Sequence, residues 1–369
     1  MRLDRLSLLG FRNYDQQEIE FAPGLNVIVG RNGQGKTNLL EAVHVLGAHG
    51  SHRTSLMDSL IRFGAERAVL RAAAEAMGRA LVVESELRRG VGVRLLVNKV
   101  PLDRGKGGSG ALSVVMFSPE DLDIVKGGPE GRRRFLDQAA ARLRPLAGVE
   151  RQSFERVLRQ RNGALKAAQT NRRAAGMLGV WDEQLARTGA VVVRNRLRVL
   201  GQLVPAVTRR SREIGQSAED PVLRYESEWA AESDDAAVLE KRLSQALEET
   251  AARDIERGAT SRGPHRDDLA IALGRRDARA FASQGEQRTL ALSLRLAEHD
   301  LVTESRGEAP ILLLDDVFSE LDEDRREHLT NLVRTAGQTI ATTTSTAGLD
   351  LPGGRELLVE AGRIAGANG

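Results

Sequence analysis

The residues whose types and spacing best suit chemistry lie between Gly30 and Thr37. Glycine, four other residues, glycine, lysine and threonine follow one another there, which is the P-loop pattern. The backbone N–H groups of such a loop and the helix N-terminus after it form a cradle for phosphate. The Lys36 ammonium can reach the β- and γ-phosphates of a nucleotide, and the Thr37 hydroxyl can ligate Mg²⁺. We expect nucleotide contacts from Gly30, Arg31, Asn32, Gly33, Gln34, Gly35, Lys36, Thr37 and Asn38.

A second candidate for phosphate chemistry is the acid pair Asp315 and Asp316, which ends the apolar run Ile311–Leu314. The first acid at such a strand end can hold Mg²⁺, directly or through water. The second acid can polarise a water molecule against the γ-phosphate, which would make Asp316 catalytic together with Lys36. Many apolar runs that end in two acids are only strand ends, so the P-loop in the same chain is what favours the catalytic interpretation.

The two motifs need elements that bring them together. The P-loop follows a short β-branched run, Leu25–Val29, and precedes an amphipathic helix, which is the context the motif requires. Lys36 and Asp315 are 279 residues apart, yet a phosphate cradle and its magnesium ligand must be neighbours. We therefore predict an α/β fold. Residues 1–128 and 258–369 build one P-loop ATPase lobe with a mixed sheet plus antiparallel strands, and residues 129–257 form an inserted helical lobe.

Hydrophobic patterns place the other elements. Alternation predicts strands within residues 1–21 and 66–100, and also at Leu112–Phe117 and Asp268–Leu273. From about residue 130 to residue 257 the period is helical. Three or four helices are expected there, packed as a short antiparallel arm. Breaks are expected near Pro145, Gly176–Gly179, Pro205 and Asp220–Pro221.

Composition excludes several classes of protein. The chain has 369 residues, of which 41% are hydrophobic and 28% charged, as in a soluble globular protein. It has no cysteine, which excludes disulfides, zinc–thiolate sites and thiol nucleophiles. No apolar run is long enough for a membrane span, and the N-terminus is too charged for a signal peptide. We expect a cytoplasmic protein, associated with the nucleoid when it binds DNA, without a structural metal.

Positive charge is concentrated in the helical stretch. Residues 131–214 contain 19 Lys and Arg against 6 Asp and Glu, whereas residues 215–257 contain 5 against 12. Such a basic stripe suits contacts to the phosphates of duplex DNA. Only 3% of residues are aromatic, which argues against a stacking platform for single strands. A solvated helical face would explain the same charge. The candidate DNA contacts are Arg132, Arg133, Arg134, Arg159, Arg161, Arg172 and Arg173.

Residues Ser283–Gln287 open another strongly amphipathic helix, and a Ser-x-Leu-Asp run follows the acidic strand. Together with the P-loop, these features resemble the ATP-binding-cassette superfamily. The resemblance implies that Ser283, Gly285 and Gln287 belong to a signature motif, which faces the γ-phosphate held by a second subunit, and that Ser283 is catalytic there. Ser283 and Glu286 also have the spacing of a capping box. Both interpretations can hold at once.

Within that superfamily the chain resembles the RecF family, bacterial recombination mediators related to the structural-maintenance-of-chromosomes ATPases. The resemblance covers nearly the whole chain. It implies ATP and Mg²⁺ as cofactors, a weak DNA-dependent ATPase and an ATP-dependent homodimer. It also implies binding to double-stranded DNA and to single-strand/double-strand junctions near gaps, and cooperation with RecR and RecO in loading RecA. The segments that carry it are Gly10–Tyr14, Gly30–Ala42, Ser51–Thr54, Phe117–Leu122, Arg132–Asp137, Gly263–Asp268, Ser283–Gln287 and Leu314–Asp322.

The chain departs from transporter ATPases in three places, and the last two, the shorter acid and the missing histidine, favour slow hydrolysis. The signature lacks the usual Leu-Ser-Gly-Gly, Asp316 stands where a glutamate is usual, and Thr342–Thr344 occupies the place of a switch histidine. ATP would then act as a timer or clamp. Two alternatives stay open: a transporter-type ATPase subunit, and a scaffold that binds ATP without hydrolysing it.

Five further residues have roles that spacing leaves open. His52 and Arg53 contact the nucleotide or DNA, or they cap a loop. His265 and Arg266 lie at the dimer or nucleotide face, or they order a turn after a proline. Arg12 is a candidate for the neighbourhood of the adenine or the phosphates.

Overall fold

The computed structural model describes residues 1–54, 56–102, 111–171, 176–215, 219–230, 233–345 and 354–365. The strands in these ranges form three sheets. In chain order they are β1 (Arg2–Phe11), β2 (Tyr14–Glu20), β3 (Leu25–Val29), β4 (Arg67–Ala76), β5 (Arg79–Arg88), β6 (Gly92–Val97), β7 (Val100–Pro101), β8 (Val114–Phe117), β9 (Pro221–Glu226), β10 (Asp268–Leu273), β11 (Arg276–Asp277), β12 (Ile311–Leu314), β13 (Thr339–Thr343), β14 (Arg355–Glu360) and β15 (Arg363–Ala365).

The helices alternate with these strands. None of those in the described ranges has the length and apolar character that crossing a bilayer requires. Short 3₁₀ turns lie at Met57–Leu60, Pro119–Asp121 and Phe318–Glu320. The α-helices are α1 (Lys36–Ala48), α2 (Leu122–Lys126), α3 (Pro129–Leu143), α4 (Leu146–Ala168), α5 (Leu178–Ile214), α6 (Ala236–Arg257), α7 (Ala278–Phe281), α8 (Gln284–Arg306) and α9 (Glu323–Thr335).

The central sheet has the order β15-β14-β3-β13-β12-β8. Strands β14, β3, β13, β12 and β8 run parallel, and β15 is an antiparallel edge. Strands β3 and β12 flank β13, so the P-loop and the acid pair follow the same edge of the sheet, where ligands bind in open α/β sheets. Strands from both ends of the chain share this sheet, as the spacing of the motifs predicts.

Both faces of the central sheet are covered, which is why its middle strands are apolar throughout. Ile28 and Leu313 face a core shared with α1 and the large antiparallel sheet. Val27 and Leu314 face the opposite core, which contains the apolar side of α8. The sheet is therefore clamped between two hydrophobic layers, and the loops at its edge start from rigid elements.

The large antiparallel sheet has the order β2-β1-β4-β5-β6-β7. Its strands alternate, so that one face packs on α1 while the other carries charged residues. The strands predicted within residues 1–21 and 66–100 are confirmed. A small third sheet, β11-β10-β9, pairs the predicted strand β10 with β9, which was not predicted.

The helical stretch differs from its prediction in two places. Helices α3, α4, α5 and α6 are four, and the breaks near Pro145 and Gly176–Gly179 are confirmed. The break at Pro205 is wrong, because this proline lies inside α5, which is 37 residues long. A proline removes one backbone hydrogen bond, but buried Leu200 and Leu203 before it and Val207 after it hold the helix against the core.

The second difference is strand β9, where only a break and further helix were expected. Its burial alternates, and it pairs with β10 over its whole length, with Leu223 opposite Ile271. Six residues give too short an alternation to outweigh the helical period on both sides. The strand forms because it pairs with β10, whose residues lie about 48 positions later in the chain, and a local pattern cannot show such a partner.

The helices have a hydrophobic cluster of their own. Phe154 of α4, Leu185 and Val193 of α5, and Leu243 and Leu247 of α6 belong to it. Helix α3 and the second half of α5 instead join the core under the central sheet. The division at residues 128 and 257 stays a prediction.

Arg161 lies in the interior of this helical region, completely buried. Its Nη1 donates to the Asp254 carboxylate at 2.8 Å and to the Thr260 hydroxyl at 2.9 Å. Its Nε donates to Asp182 at 2.6 Å. A guanidinium with these partners cannot reach a DNA phosphate, so the prediction of Arg161 as a DNA contact is wrong.

Replacing Arg161 with methionine is expected to reduce the free energy of unfolding by about 3–5 kcal/mol, because buried Asp254 loses its cation. Urea unfolding followed by circular dichroism measures the loss. Arg159→Met is the matched control, since Arg159 is exposed on the same helix and should change stability by less than about 0.5 kcal/mol. Equal, small losses in both variants would contradict the structural role.

Candidate nucleotide-binding site

The P-loop connects the end of β3 to the start of α1. Gly35 has a left-handed backbone with φ +114°, and a Cβ there would lie 2.5 Å from Asn13 Nδ2. Only glycine fits such a position without strain. Arg31, Asn32 and Gly33 are exposed at the tip, and Gln34 is half-buried. The predicted loop thus forms, with its exposed turn ahead of a helix N-terminus.

The Lys36 ammonium is held inside the loop. Its Nζ donates to the carbonyl oxygens of Gly30, at 2.6 Å, and Arg31, at 3.3 Å. Burial lowers the pKa of Lys36, and the negative charges of Asp316 and Asp315 oppose that shift. The lysine is therefore a buried cation that the two acids help to keep charged.

The predicted magnesium ligands meet. Thr37 Oγ1 donates to Asp315 Oδ1 at 3.0 Å, although the two residues are 278 positions apart. A hydroxyl and a carboxylate oxygen are the hard ligands that Mg²⁺ prefers. Burial raises the pKa of Asp315, while hydrogen bonds from Thr342 and Thr37 favour its ionised form. This donor set fits the cation that the sequence predicts.

Thr342 of β13 ties the two acids together. Its Oγ1 donates to Asp315 at 2.7 Å and accepts from the Asp316 backbone N–H at 2.8 Å. The sequence drew attention to Thr342 only as a missing histidine. The structure gives it a positioning role that no local pattern indicates.

Asp316 leaves the strand with a left-handed backbone, φ +51°. Aspartate tolerates this conformation better than most residues. The Ser319 hydroxyl donates to the Asp316 carbonyl oxygen at 3.0 Å and also contacts its carboxylate. The second acid is thus held in a turn beyond the sheet edge, separate from the first.

Glu41 of α1 anchors the loop that follows the helix. It is completely buried and accepts two hydrogen bonds of 2.8 Å from the Arg12 guanidinium and one of 2.5 Å from Ser51 Oγ. Arg12 therefore braces the P-loop helix from behind. A buried glutamate on an apolar helix face was the sequence signal for this pair, and it was missed.

The two residues after Arg12 hold the P-loop itself. Asn13 Nδ2 donates to the Gln34 carbonyl oxygen at 3.0 Å, and Tyr14 Oη donates to the Gly35 carbonyl oxygen at 3.0 Å. Asn38, after the loop, donates to Asn13 Oδ1 at 2.8 Å. The first strand turn and the P-loop form one hydrogen-bonded unit.

The last hairpin, β14–β15, reaches the same loop. Gln34 Oε1 accepts from the Ala361 backbone N–H at 2.6 Å, and the Gly362 N–H donates to the Gln34 carbonyl oxygen at 3.1 Å. A Cβ on Gly30 would lie 2.5 Å from the Val359 carbonyl oxygen. The hairpin therefore packs tightly against the P-loop, and no motif in it predicts this contact.

His52 and Arg53 lie beside the P-loop helix. Arg53 Nη1 donates to Asn38 Oδ1 at 3.2 Å. The ring of His52 meets His44 edge-on, with centroids 5.2 Å apart, and burial lowers the pKa of His52. Their contact with a nucleotide or with DNA stays a prediction.

The signature segment forms the start of α8. Ser283 is an exposed N-cap whose Oγ accepts from the Glu286 N–H at 3.3 Å, and the Glu286 carboxylate accepts from the Ser283 N–H at 2.7 Å. The capping box is confirmed. Its exposure leaves the Ser283 and Gly285 turn accessible to another molecule.

Gln287 lies behind the signature turn rather than on its exposed side. It is buried, and its Nε2 donates to the carbonyl oxygens of Ala278 and Arg279 at 3.2 and 3.4 Å. The side chain braces α7 behind the signature turn, so its prediction as a direct nucleotide contact is wrong. A glutamine one turn into an amphipathic helix is as easily structural as functional, and spacing cannot separate the two.

Arg132, another candidate DNA contact, forms an internal ion pair. Its guanidinium forms two hydrogen bonds with Asp268, of 2.7 and 2.6 Å, and a third with the Gly127 carbonyl oxygen. This buried arginine cannot be a phosphate contact, and the prediction is wrong. Arg133 donates to the Asp267 carbonyl oxygen at 2.7 Å.

The other candidate DNA contacts differ in exposure and in whether the structure describes them. Arg134 is exposed and pairs with Glu130 one turn earlier, and Arg159 is exposed. Their contact with DNA stays a prediction. Arg172 and Arg173 lie outside the described residues.

Two of the segments that carried the family resemblance join the helices to the small sheet. Arg196 forms two hydrogen bonds with Asp137, of 2.7 and 2.9 Å, and donates to the Pro264 carbonyl oxygen at 2.7 Å. Buried Asp267 accepts from Tyr225 Oη at 2.7 Å and from Trp229 Nε1 at 3.0 Å. These residues are a structural junction.

His265 and Arg266 lie at that junction. His265 Nε2 is 3.1 Å from the Thr260 carbonyl oxygen, and Arg266 Nη2 is 3.5 Å from the same atom. Burial lowers the pKa of His265 to about 4, so the ring is neutral near pH 7. The turn-ordering contact is present, and a dimer role stays a prediction.

Comparison with known proteins agrees with this geometry. The family model described as the RecF/RecN/SMC N-terminal domain matches residues 2–350. The chain is 42% identical over 349 residues to the DNA replication and repair protein RecF of Streptomyces avermitilis, with 93% of each chain covered. It is 39% identical to the protein of that name from Bacillus subtilis, over 100% of this chain and 99% of the relative.

Solved structures agree as well. The recombination mediator protein RecF-ATP of the RecFOR pathway has a TM-score of 0.90 at 31% identity, covering 99% of this chain and 97% of that chain. An Smc head bound to the winged-helix domain of ScpA has a TM-score of 0.57 at 16% identity and shares the fold alone. The predicted α/β architecture, an ABC-type P-loop ATPase with a helical region, is confirmed. The chain belongs to the RecF family of DNA replication and repair proteins.

Proposed function

We propose that this chain is an ATP-dependent, DNA-binding recombination and repair mediator, in which ATP-driven dimerisation clamps double-stranded DNA near gaps. The observation that carries the proposal is the hydrogen bond between Thr37 and Asp315. It joins the P-loop to the acid pair within a RecF-family chain, so the two halves of the proposed nucleotide site lie side by side.

The proposed reaction is ATP hydrolysis. The loop amides and Lys36 bind the triphosphate, and Thr37 and Asp315 hold Mg²⁺, which would neutralise charge on the phosphate oxygens. Asp316 accepts a hydrogen bond from water, whose oxygen attacks the γ-phosphorus as the bond to the β-phosphate oxygen breaks. The products are ADP and phosphate, and the proton lost by the attacking water passes through Asp316 to the phosphate.

Slow turnover suits the arrangement of the acids. Asp316 is one methylene shorter than the glutamate of transporter ATPases. The Thr342 hydroxyl donates its hydrogen to Asp315 and accepts from the Asp316 N–H. It therefore has no O–H donor left for the γ-phosphate. These features favour hydrolysis as a timer that releases the dimer. They also favour a second candidate, a scaffold that holds ATP without turnover, and a sensitive phosphate-release assay separates the two.

Pairing of two copies would complete each site. The Ser283 hydroxyl and the α8 N-terminus are exposed, and a helix N-terminus attracts phosphate. We propose two ATP molecules between two chains, each held by Lys36, Thr37, Asp315 and Asp316 of one copy and by Ser283 and Gly285 of the other.

The arm would supply the DNA contacts. With Arg132 and Arg161 excluded, Arg133, Arg134 and Arg159 remain candidates, beside Arg172 and Arg173 outside the described residues. We propose that they contact the backbone of double-stranded DNA and of single-strand/double-strand junctions. RecR and RecO are the proposed partners in loading RecA, a proposal supported by the RecFOR pathway of the solved relatives. The cytoplasm is the proposed location, and residues 129–257 are the proposed helical lobe.

Lys36→Met should weaken ATP binding at least about 10-fold, because a charge-assisted contact to phosphate is lost, and should abolish hydrolysis. Titration calorimetry and a phosphate-release assay measure the two effects. The control is Lys126→Met, which removes an exposed lysine at the end of α2. Unchanged turnover in the Lys36 variant would refute the P-loop role.

Ser283→Arg should leave ATP binding to the single chain intact and block ATP-dependent pairing, because a bulky cation occupies the exposed turn. Sedimentation velocity with and without ATP measures the pairing. Thr170→Arg is the control, since Thr170 is exposed in the turn two residues after the end of α4. An ATP-dependent dimer of normal strength in the Ser283 variant would sink the two-copy site.

A further inference from the structure

Arg325 lies in the first turn of α9, three residues after Asp322. Asp322 caps this helix, because its Oδ1 accepts from the Arg325 backbone N–H at 2.9 Å. The cap fixes the direction in which the Arg325 side chain leaves the backbone. The acid pair precedes this turn by only a few residues, so Arg325 is part of the segment that connects the nucleotide edge of the sheet to α9.

The side chain of Arg325 reaches the signature turn. A Cβ placed on Gly285 would lie 2.8 Å from Arg325 Nη1. A side chain at position 285 would require the flexible end of Arg325 to shift, so the guanidinium lies in close contact with the glycine. Arg325 therefore lies directly against the turn that Ser283 caps.

The guanidinium is mostly buried but poorly partnered. Its side chain is 28% exposed, and its Nη1 lies 3.5 Å from Asp322 Oδ2. Within the described part of the chain it makes no hydrogen bond. It lines a cavity of about 470 Å³ together with Ser283, Glu286 and Arg276. Arg276 differs, because it pairs with Glu219 at 3.1 Å.

A guanidinium with spare donors is the side chain best suited to phosphate oxygens. In phosphoryl transfer, an arginine supplied by a second protein can stabilise the charge that develops on the transferred group. In the proposed pairing, the signature turn of one copy faces the triphosphate on the P-loop of the other. Arg325 would arrive with that turn.

We propose that Arg325 acts in trans, donating hydrogen bonds to the γ-phosphate oxygens of the ATP held by a second copy. It stabilises negative charge as water attacks the phosphorus and the β–γ bond breaks, and it transfers no proton itself. This inference rests on the proposed ATP-driven pairing.

The first test compares Arg325→Ala, Arg325→Lys and the wild-type chain. Arg325→Ala should reduce the hydrolysis rate of the ATP-bound dimer at least about 100-fold, with unchanged ATP affinity of the single chain and an unchanged melting temperature. Arg325→Lys should recover part of the rate. Arg79→Ala, at an exposed arginine of β5, is the control and should hydrolyse normally. A normal rate in Arg325→Ala would overturn the proposal.

Mixed pairs separate action in trans from action within one chain. Arg325→Ala and Lys36→Met chains should each be inactive alone and should regain hydrolysis when mixed. One site of the mixed pair then combines the intact P-loop of the first chain with the intact Arg325 of the second. Affinity-tag capture confirms that mixed pairs form. Mixed pairs without hydrolysis would overturn the trans role. In such pairs the intact P-loop lies in the Arg325→Ala chain, so inactivity would mean that Arg325 must lie in the same chain as the P-loop.

The outcome also separates this inference from the pairing on which it rests. If Ser283→Arg blocks the ATP-dependent dimer while Arg325→Ala hydrolyses normally, only the role of Arg325 fails. If Ser283→Arg dimerises normally, the two-copy site fails and the inference fails with it.

Discussion

The hydrogen bond between Thr37 and Asp315 is the contact on which the rest of the structure depends. It requires that β3 and β12, from opposite ends of the chain, lie in one sheet with β13 between them. Thr342 on that intervening strand then reaches both acids. The two hydrophobic layers around the sheet keep these three strand ends rigid, so a hydroxyl and a carboxylate separated by most of the chain are held at hydrogen-bond distance.

The long excursion between the two halves must return without disturbing that edge. The buried side chains of Arg132 and Arg196 achieve this by pairing with the half-buried carboxylates of Asp268 and Asp137 rather than with DNA. Their desolvation is costly unless each charge is paired, and here each pair has two hydrogen bonds. The arm is thus rigidly joined at its base. Fewer of its arginines are available for phosphate contacts than its positive charge suggests, because some of them form internal ion pairs.

Local patterns were sufficient for the P-loop, the acid pair, the capping box and most strands, because each is set by residues a few positions apart. Strand β9 and the unbroken α5 through Pro205 could not be predicted, since a distant partner strand and core packing decide them. For the same reason, the sequence did not predict the role of Thr342, the Glu41–Arg12 pair or the hairpin contact at Gln34. Arginine type and spacing cannot distinguish Arg161, an interior ion pair, from exposed Arg159; only burial can.

If the nucleotide site governs the affinity for DNA, the affinity for duplex DNA should differ with and without ATP when both are measured at one fixed salt concentration. Single-stranded DNA serves as competitor, and the salt is fixed because phosphate contacts are strongly salt-dependent. We expect ATP to strengthen duplex binding at least about 10-fold, because two basic arms would bind one duplex together, and we expect the single strand to compete poorly. Duplex affinity that is the same with and without ATP would contradict this expectation.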